Sequence, residues 1–332
     1  MIELSLPLHA DWTGGLTTAA YLDRLLSLGI TAVEVQLPPT LRAEDIDRWA
    51  ALIDQARERR LKLALHAPLA ADSPIWSHVL TWIGELATTP VTLIVHGCTA
   101  TRRAPDLVAQ TVAYVYALLT RLPPTVTVAV EQSWNKGAAA GLGGMIRNLR
   151  GDKLQGRIQR PIGVGSGMGV ASQAAPQPVP PATEFDPWLK SSRWRMLRRT
   201  DGFSGTGTRQ ETLQVVMEVN HPNCVIAWDV AHDWLGGAKG GVADWQSAAS
   251  ADFLRRVAYV RLHDVDDSGT DHWPLVVGNV PYASQLRPLL QHGFAGVVCL
   301  AIRYTPQTHM FGDRWHVLER SLAIARQVFR IN

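Results

Sequence analysis

Apolar and polar positions along the chain alternate between two periods. Runs of five to seven mostly apolar residues recur at 2–8, 31–36, 61–66, 91–96, 125–131, 225–229, 257–263 and 296–302. Such runs fit strands covered on both faces. Each is followed by a longer stretch whose apolar residues lie three or four apart, the spacing of a helix with one buried face, over 17–29, 43–60, 73–87, 104–121, 208–220, 243–255, 280–291 and 313–329. The first of these stretches opens on Thr17, a side chain that caps a helix, and closes on Gly29, a residue that stops one. Eight strands and eight helices are therefore expected.

Strands that alternate with helices run parallel, and eight such units close into a (β/α)8 TIM barrel of about 250 residues. An open doubly wound sheet is the alternative. The alternation breaks once, between Asn135 and Arg209, and removing those 75 residues leaves 257, a length that suits the barrel. The expected architecture is an α/β single domain over 1–332, a TIM barrel with a long Gly/Pro/Arg-rich insertion after strand five.

Charge changes the picture of that insertion. Residues 135–209 hold 13 of the 27 Gly and the Pro-rich run Ala175–Pro181, with little apolar periodicity to offset an ordering cost, so they read as a flexible segment. They carry 12 Lys and Arg against 4 Asp and Glu, while the other 257 residues carry 20 basic and 25 acidic side chains. The basic character is thus local. Arg193, Arg195, Arg198 and Arg199 beside Trp188 and Trp194 form a patch suited to a phosphate, a nucleic-acid backbone or an acidic partner. A segment after strand five also stands where a lid would. No basic leader or run of 18 apolar residues is present, and three widely spaced cysteines form no disulfide framework. A cytoplasmic protein with no membrane contact is expected, and a homo-oligomer is compatible with the composition.

The strand ends carry the candidate chemistry. Strand three ends at His66, four at His96, five at Glu131, six at Asp229 with His232 beyond, and seven at His263, with His272 in the next loop. A closed barrel would bring these residues to one mouth. Imidazoles and carboxylates together are ligands for Zn, Mn or Fe, and the set suits one or two divalent ions. For Asp229 alone, capping of the following helix is an equally good reading. Asp264 would point away from the mouth as a supporting carboxylate. Glu34 on strand two and His9 after strand one are further candidates for its lining.

In order along the chain, Ala32-Val-Glu-Val35, Leu65-His-Ala-Pro68, Val95-His-Gly97, Val130-Glu-Gln-Ser133, Trp228-Asp-Val-Ala-His232, Leu262-His-Asp264 and Asp271-His-Trp-Pro-Leu275 resemble the xylose isomerase-like TIM barrels. That superfamily includes sugar phosphate isomerases and epimerases, dehydratases and the endonuclease IV enzymes. In the epimerase branch one ion is bound by Glu, Asp, His and Glu from strands five to eight. The resemblance carries the first three onto Glu131, Asp229 and His263, and a substrate-binding histidine onto His232. The fourth position is Ala301, which offers neither a ligand nor a base. In the endonuclease IV branch the counterparts are His66, His96, Glu131, Asp229, His232, His263 and His272, with Thr270 where a ligand Asp is expected.

The resemblance implies a divalent-metal-dependent isomerase, epimerase or lyase acting on a sugar, sugar phosphate or similar polyhydroxylated small molecule. Glu131 or His232 would move the proton, His66, His96, Glu131, Asp229, His263 and His272 would hold metal, and His232, Arg303 and Glu34 would contact substrate. The alternatives are an endonuclease IV-like phosphodiesterase, motivated by the basic insertion, and a catalytically reduced binding or partner subunit, motivated by Ala301.

Overall fold

The computed structural model describes residues 2–8, 16–37, 46–67, 75–86, 89–100, 104–133, 203–236, 247–266, 269–303 and 311–330, with 69, 71 and 73 between them. Eight strands, β1 (Glu3–Leu8), β2 (Ala32–Gln36), β3 (Lys62–Ala67), β4 (Val91–His96), β5 (Val126–Glu131), β6 (Cys224–Asp229), β7 (Val257–Leu262) and β8 (Val297–Leu300), pair in parallel and in sequence order, and β8 returns to β1. The sheet is a closed TIM barrel.

Nine helices are described: α1 (Thr18–Ser27), α2 (Ile46–Glu58), α3 (Trp76–Leu86), α4 (Leu107–Leu119), α5 (Arg209–Val219), α6 (Val230–Leu235), α7 (Ala248–Arg256), α8 (Tyr282–Gln291) and α9 (Arg314–Phe329). Their starts follow the capping chemistry of the sequence. Thr17 accepts the Ala20 amide, and Gly29 takes the left-handed conformation past α1. Thr208 accepts the Glu211 amide while donating to the Glu211 carboxylate, a side-chain pair that secures the first turn of α5. The short α6 was not expected as a separate element. It begins because Asp229 accepts the His232 amide at 2.9 Å.

The barrel has two cores. Outward-facing residues such as Val33, Leu65, Leu93, Val128, Ile226, Val260 and Val298 pack with the helices in one continuous cluster. Inside, Ala64, Ile94, Ala129, Ala227, Tyr259, Cys299 and Ala301 form a smaller layer. No helix among the described residues is long and apolar enough to cross a membrane.

Most of the expected insertion lies outside the described residues, including Arg193, Arg195, Arg198, Arg199 and the two tryptophans. Its far end is held against the barrel. Phe203–Ser204 pairs antiparallel with Thr99–Ala100, and Ser133 donates its amide to the Thr206 carbonyl. Gly205 packs so closely on α4 that an added Cβ would stand 2.5 Å from the Leu107 carbonyl oxygen. The segment expected to be free thus ends at least six residues before Arg209.

Candidate active site at the barrel mouth

Alternate residues of a strand face the same way, so the side chain two positions beyond an interior residue also points inward, one layer higher. Ala64 is followed in this sense by His66, Ile94 by His96, Ala129 by Glu131, Ala227 by Asp229, and Tyr259 by Arg261 and then His263. Register brings them level: His96 lies opposite Glu131 on the neighbouring strand, and Asp229 opposite Arg261. A polar layer therefore sits on small apolar side chains at the carboxyl ends of the strands.

One half of this layer is organised by Arg261, which is 2% exposed. Its Nη1 donates to both oxygens of Glu131, at 2.8 and 2.9 Å, and its Nη2 to Oε1 of Glu34 at 3.2 Å. Nη1 is 3.8 Å from Oδ2 of Asp229. Glu34 also accepts from Gln36 and from the Tyr259 hydroxyl. His66 and His96 close this half, with their Nε2 atoms 2.8 Å apart and 3.1 and 3.4 Å from Oε2 of Glu131. Burial alone would raise both glutamates. The Arg261 charge, with the imidazoles, instead holds Glu131 well below the usual carboxylate range and Glu34 at about 2. Burial and Arg261 oppose a charge on His66, yet its contacts with Glu131 and Glu34 leave its pKa raised.

The other half is built from histidines and the carboxylates Asp229 and Asp271, with the Arg303 charge nearby. His263 Nε2 faces Asp229 at 3.0 Å, and the His272 amide donates to His263 Nδ1 at 2.9 Å. A ring nitrogen that accepts an amide is unprotonated, so the neutral His263 ring carries its proton on Nε2 and donates it to Asp229. His272 Nδ1 lies 2.7 Å from the Ala301 carbonyl oxygen and must donate to it, which leaves a lone pair on Nε2. His232 Nε2 meets Asp271 at 3.2 Å. His232 Nδ1 is 3.2 Å from Oδ2 of Asp229 but misaligned, and this buried nitrogen has no hydrogen-bond partner. Burial works against a charge on His232, while Asp229 and Asp271 raise its pKa. Burial, Arg303 and His263 push His272 well below its ordinary value, so its ring is neutral.

The loop after β7 is fixed from beneath. Asp264 pairs with Trp273 through both backbone groups, and its carboxylate accepts the Val265, Gly278 and Val280 amides. It points away from the mouth, as its place next to His263 predicts. This anchoring holds His272 at φ 63°, a left-handed conformation a histidine rarely adopts. The strain fixes where its ring projects.

His66, His96, Glu131, Asp229, His232, His263 and His272 are all brought together at the mouth. Asp229 caps α6, as one reading of the sequence has it, and also faces His263 and His232. Arg303 reaches the site through its amide, which donates to the His272 carbonyl, and through its charge. Glu34 is fully covered beneath Arg261 and His66, so a substrate contact is replaced by a bracing one. His9 lies outside the described residues. Two groups escaped sequence reasoning. Arg261 was legible by period, two residues before His263 on the same strand. Asp271 enters the sequence reading only as the first residue of the motif Asp271-His-Trp-Pro-Leu275.

The donor set tests whether a metal fits. Among the described residues, ligand atoms lie within 4.8 Å of one another in three groups: His232, His263 and His272; His66, His96 and Glu131; and Glu131, Asp229 and His232. His232, whose Nδ1 is orphaned, and His272, whose Nε2 keeps a lone pair, belong to one of these groups, which suits a divalent cation.

A family model described as the xylose isomerase-like TIM barrel matches residues 197–325, the stretch that supplies Asp229, His232, His263 and His272. Over that stretch, well under half of the chain, the sequence is similar to the xylose isomerase-like barrels. Solved structures similar to this chain agree on its fold. They include a xylose isomerase domain protein from Alicyclobacillus acidocaldarius, 15% identical over 99% of both chains at a TM-score of 0.57. A D-allulose 3-epimerase from Methylomonas sp. is 14% identical over 98% of both chains, at 0.56. A putative sugar phosphate isomerase/epimerase from Anabaena variabilis is 11% identical over 99% of both, at 0.55. No curated protein sequence matches the chain.

Proposed function

We propose that this xylose isomerase-like barrel is a metal-dependent enzyme that moves a proton between neighbouring carbons of a sugar or sugar phosphate. The observation that carries the reading is the meeting of two chemistries in one mouth. A carboxylate with two imidazoles, Glu131 with His66 and His96, adjoins a cluster suited to a cation, His232 with His263 and His272, and Asp229 stands next to His232. The structurally similar epimerases act on sugars, in keeping with this assignment.

Asp229, His232 and His272 would hold the ion, whose chemistry is to polarise a substrate carbonyl or hydroxyl. His263 donates to Asp229 and sets the direction of its oxygens. Asp271 accepts from His232 Nε2 and so presents Nδ1. Glu131 Oε2 takes the proton from carbon and passes it through the contiguous His66 and His96 Nε2 atoms, the side chain of His96 being 35% exposed. Arg303 stands beside Asp271 and His272, where it would meet a phosphate or carboxylate of the substrate.

Ala301 shapes the reaction class. Its side chain belongs to the apolar layer, so strand eight supplies no second carboxylate. Epimerisation with return of the proton to the opposite face calls for a group on each side of the carbon. A single base fits transfer along one face, which is isomerisation, or removal of a proton before loss of water. The test is incubation of the zinc- or manganese-loaded protein with keto sugars and their phosphates in deuterated water. One deuterium should enter at the carbon next to the carbonyl, and Glu131→Gln should slow this by about 100-fold or more. Absence of incorporation from every candidate would overturn the proposal.

A further inference from the structure

We infer that the Arg261 guanidinium is a built-in cation that takes the place of a metal ion between Glu131 and Asp229, so that the mouth binds a single divalent ion, on the histidine side. This rests on the reading of the mouth as a metal-dependent site. Glu131, Asp229 and His232 converge closely enough to hold an ion, yet the space among their oxygens already faces a positive charge. Arg261 occupies both Glu131 oxygens and one Glu34 oxygen, and its Nη1 stands 3.8 Å from Asp229. A guanidinium stays charged at any working pH, and here its Nη1 meets both Glu131 oxygens while Nη2 meets Glu34, so it gives fixed neutralisation where an ion would give exchangeable neutralisation.

The partner groups agree with this division. On the Arg261 side His66 and His96 have each other and Glu131 as partners, and Glu34 is braced by Gln36 and Tyr259. On the other side of Asp229 stand the unpartnered His232 Nδ1 and the lone pair of His272 Nε2. An ion bridging Glu131 to Asp229 would have to displace Arg261 into a wholly buried setting, away from three carboxylates. The side chain that could have completed a bridging site from strand eight is Ala301, which has no ligand atom.

Zinc titration into the metal-free full chain, with bound metal counted by mass spectrometry after equilibrium dialysis, tests this. The wild type should bind one zinc per chain and Arg261→Ala two. His96→Ala, a change at a partly exposed side chain, should leave the wild-type zinc count at one and its Kd within about threefold, which keeps the inference open to refutation if Arg261→Ala does not fold. Two equivalents in the wild type, one in a folded Arg261→Ala, or a more than tenfold weaker Kd in His96→Ala overturns the inference and leaves the proton-transfer reading standing. A wild type that binds no zinc overturns the metal-dependent reading and the inference with it.

Discussion

The two halves of the barrel mouth solve the same electrostatic problem in opposite ways. Around β2, β3, β4 and β5 the buried carboxylates Glu34 and Glu131 are neutralised from within by Arg261 and two imidazoles. Around β6 and the loop after β7, Asp229 and Asp271 face three histidines, one with a buried nitrogen that lacks a partner. Buried charges persist only when paired. In the first half the carboxylates are paired from within, although the Nε of Arg261 is itself a buried nitrogen with no hydrogen-bond partner, and in the second they face histidines. The same barrel interior, one layer down, shows no such division.

Glu34 offers the larger test of that contrast. Its pKa is about 2, below the ordinary 4.5, because Arg261 and His66 outweigh its burial. A carboxylate depressed in the folded state contributes stability that is fully present above about 4.5 and is lost as pH falls towards 2, on the order of 3 kcal/mol here. Urea unfolding at a series of pH values should show Glu34→Gln less stable than the wild type at neutral pH, with a flatter decline below pH 4.5. If Arg261 did not neutralise it, burial would raise Glu34 and reverse the sign of that difference.

A smaller effect is expected from the histidine-rich half. Asp271 touches the imidazole of His232 on the side away from the orphaned nitrogen. Partners of this kind fix the ring and its tautomer, and their loss costs about 10- to 100-fold in metal affinity. Asp271→Asn should weaken zinc binding by that factor. An unchanged zinc Kd would remove Asp271 from the account.

Much of this was legible in the sequence. The two periods gave the eight strands within about two residues, and His66, His96, Glu131 and Asp229 announced themselves by ending apolar runs. Arg261 did not, although the same period points it inward. A charge inside a buried strand has meaning only through what surrounds it, and its partners come from β2, β5 and β6, up to 227 residues away. The tautomer of His272 depends likewise on the carbonyl of Ala301, 29 residues on, a backbone group no side-chain pattern reveals. Phe203–Ser204 was hidden for a different reason, since two residues are too short to display a period.

The most direct test is anomalous diffraction from crystals of the zinc-loaded protein. The account predicts one zinc peak, about 2.1 Å from ring nitrogens of His232 and His272 and bound by Asp229, with Arg261 still paired to both oxygens of Glu131. A zinc between Glu131 and Asp229, with the guanidinium displaced, would contradict it.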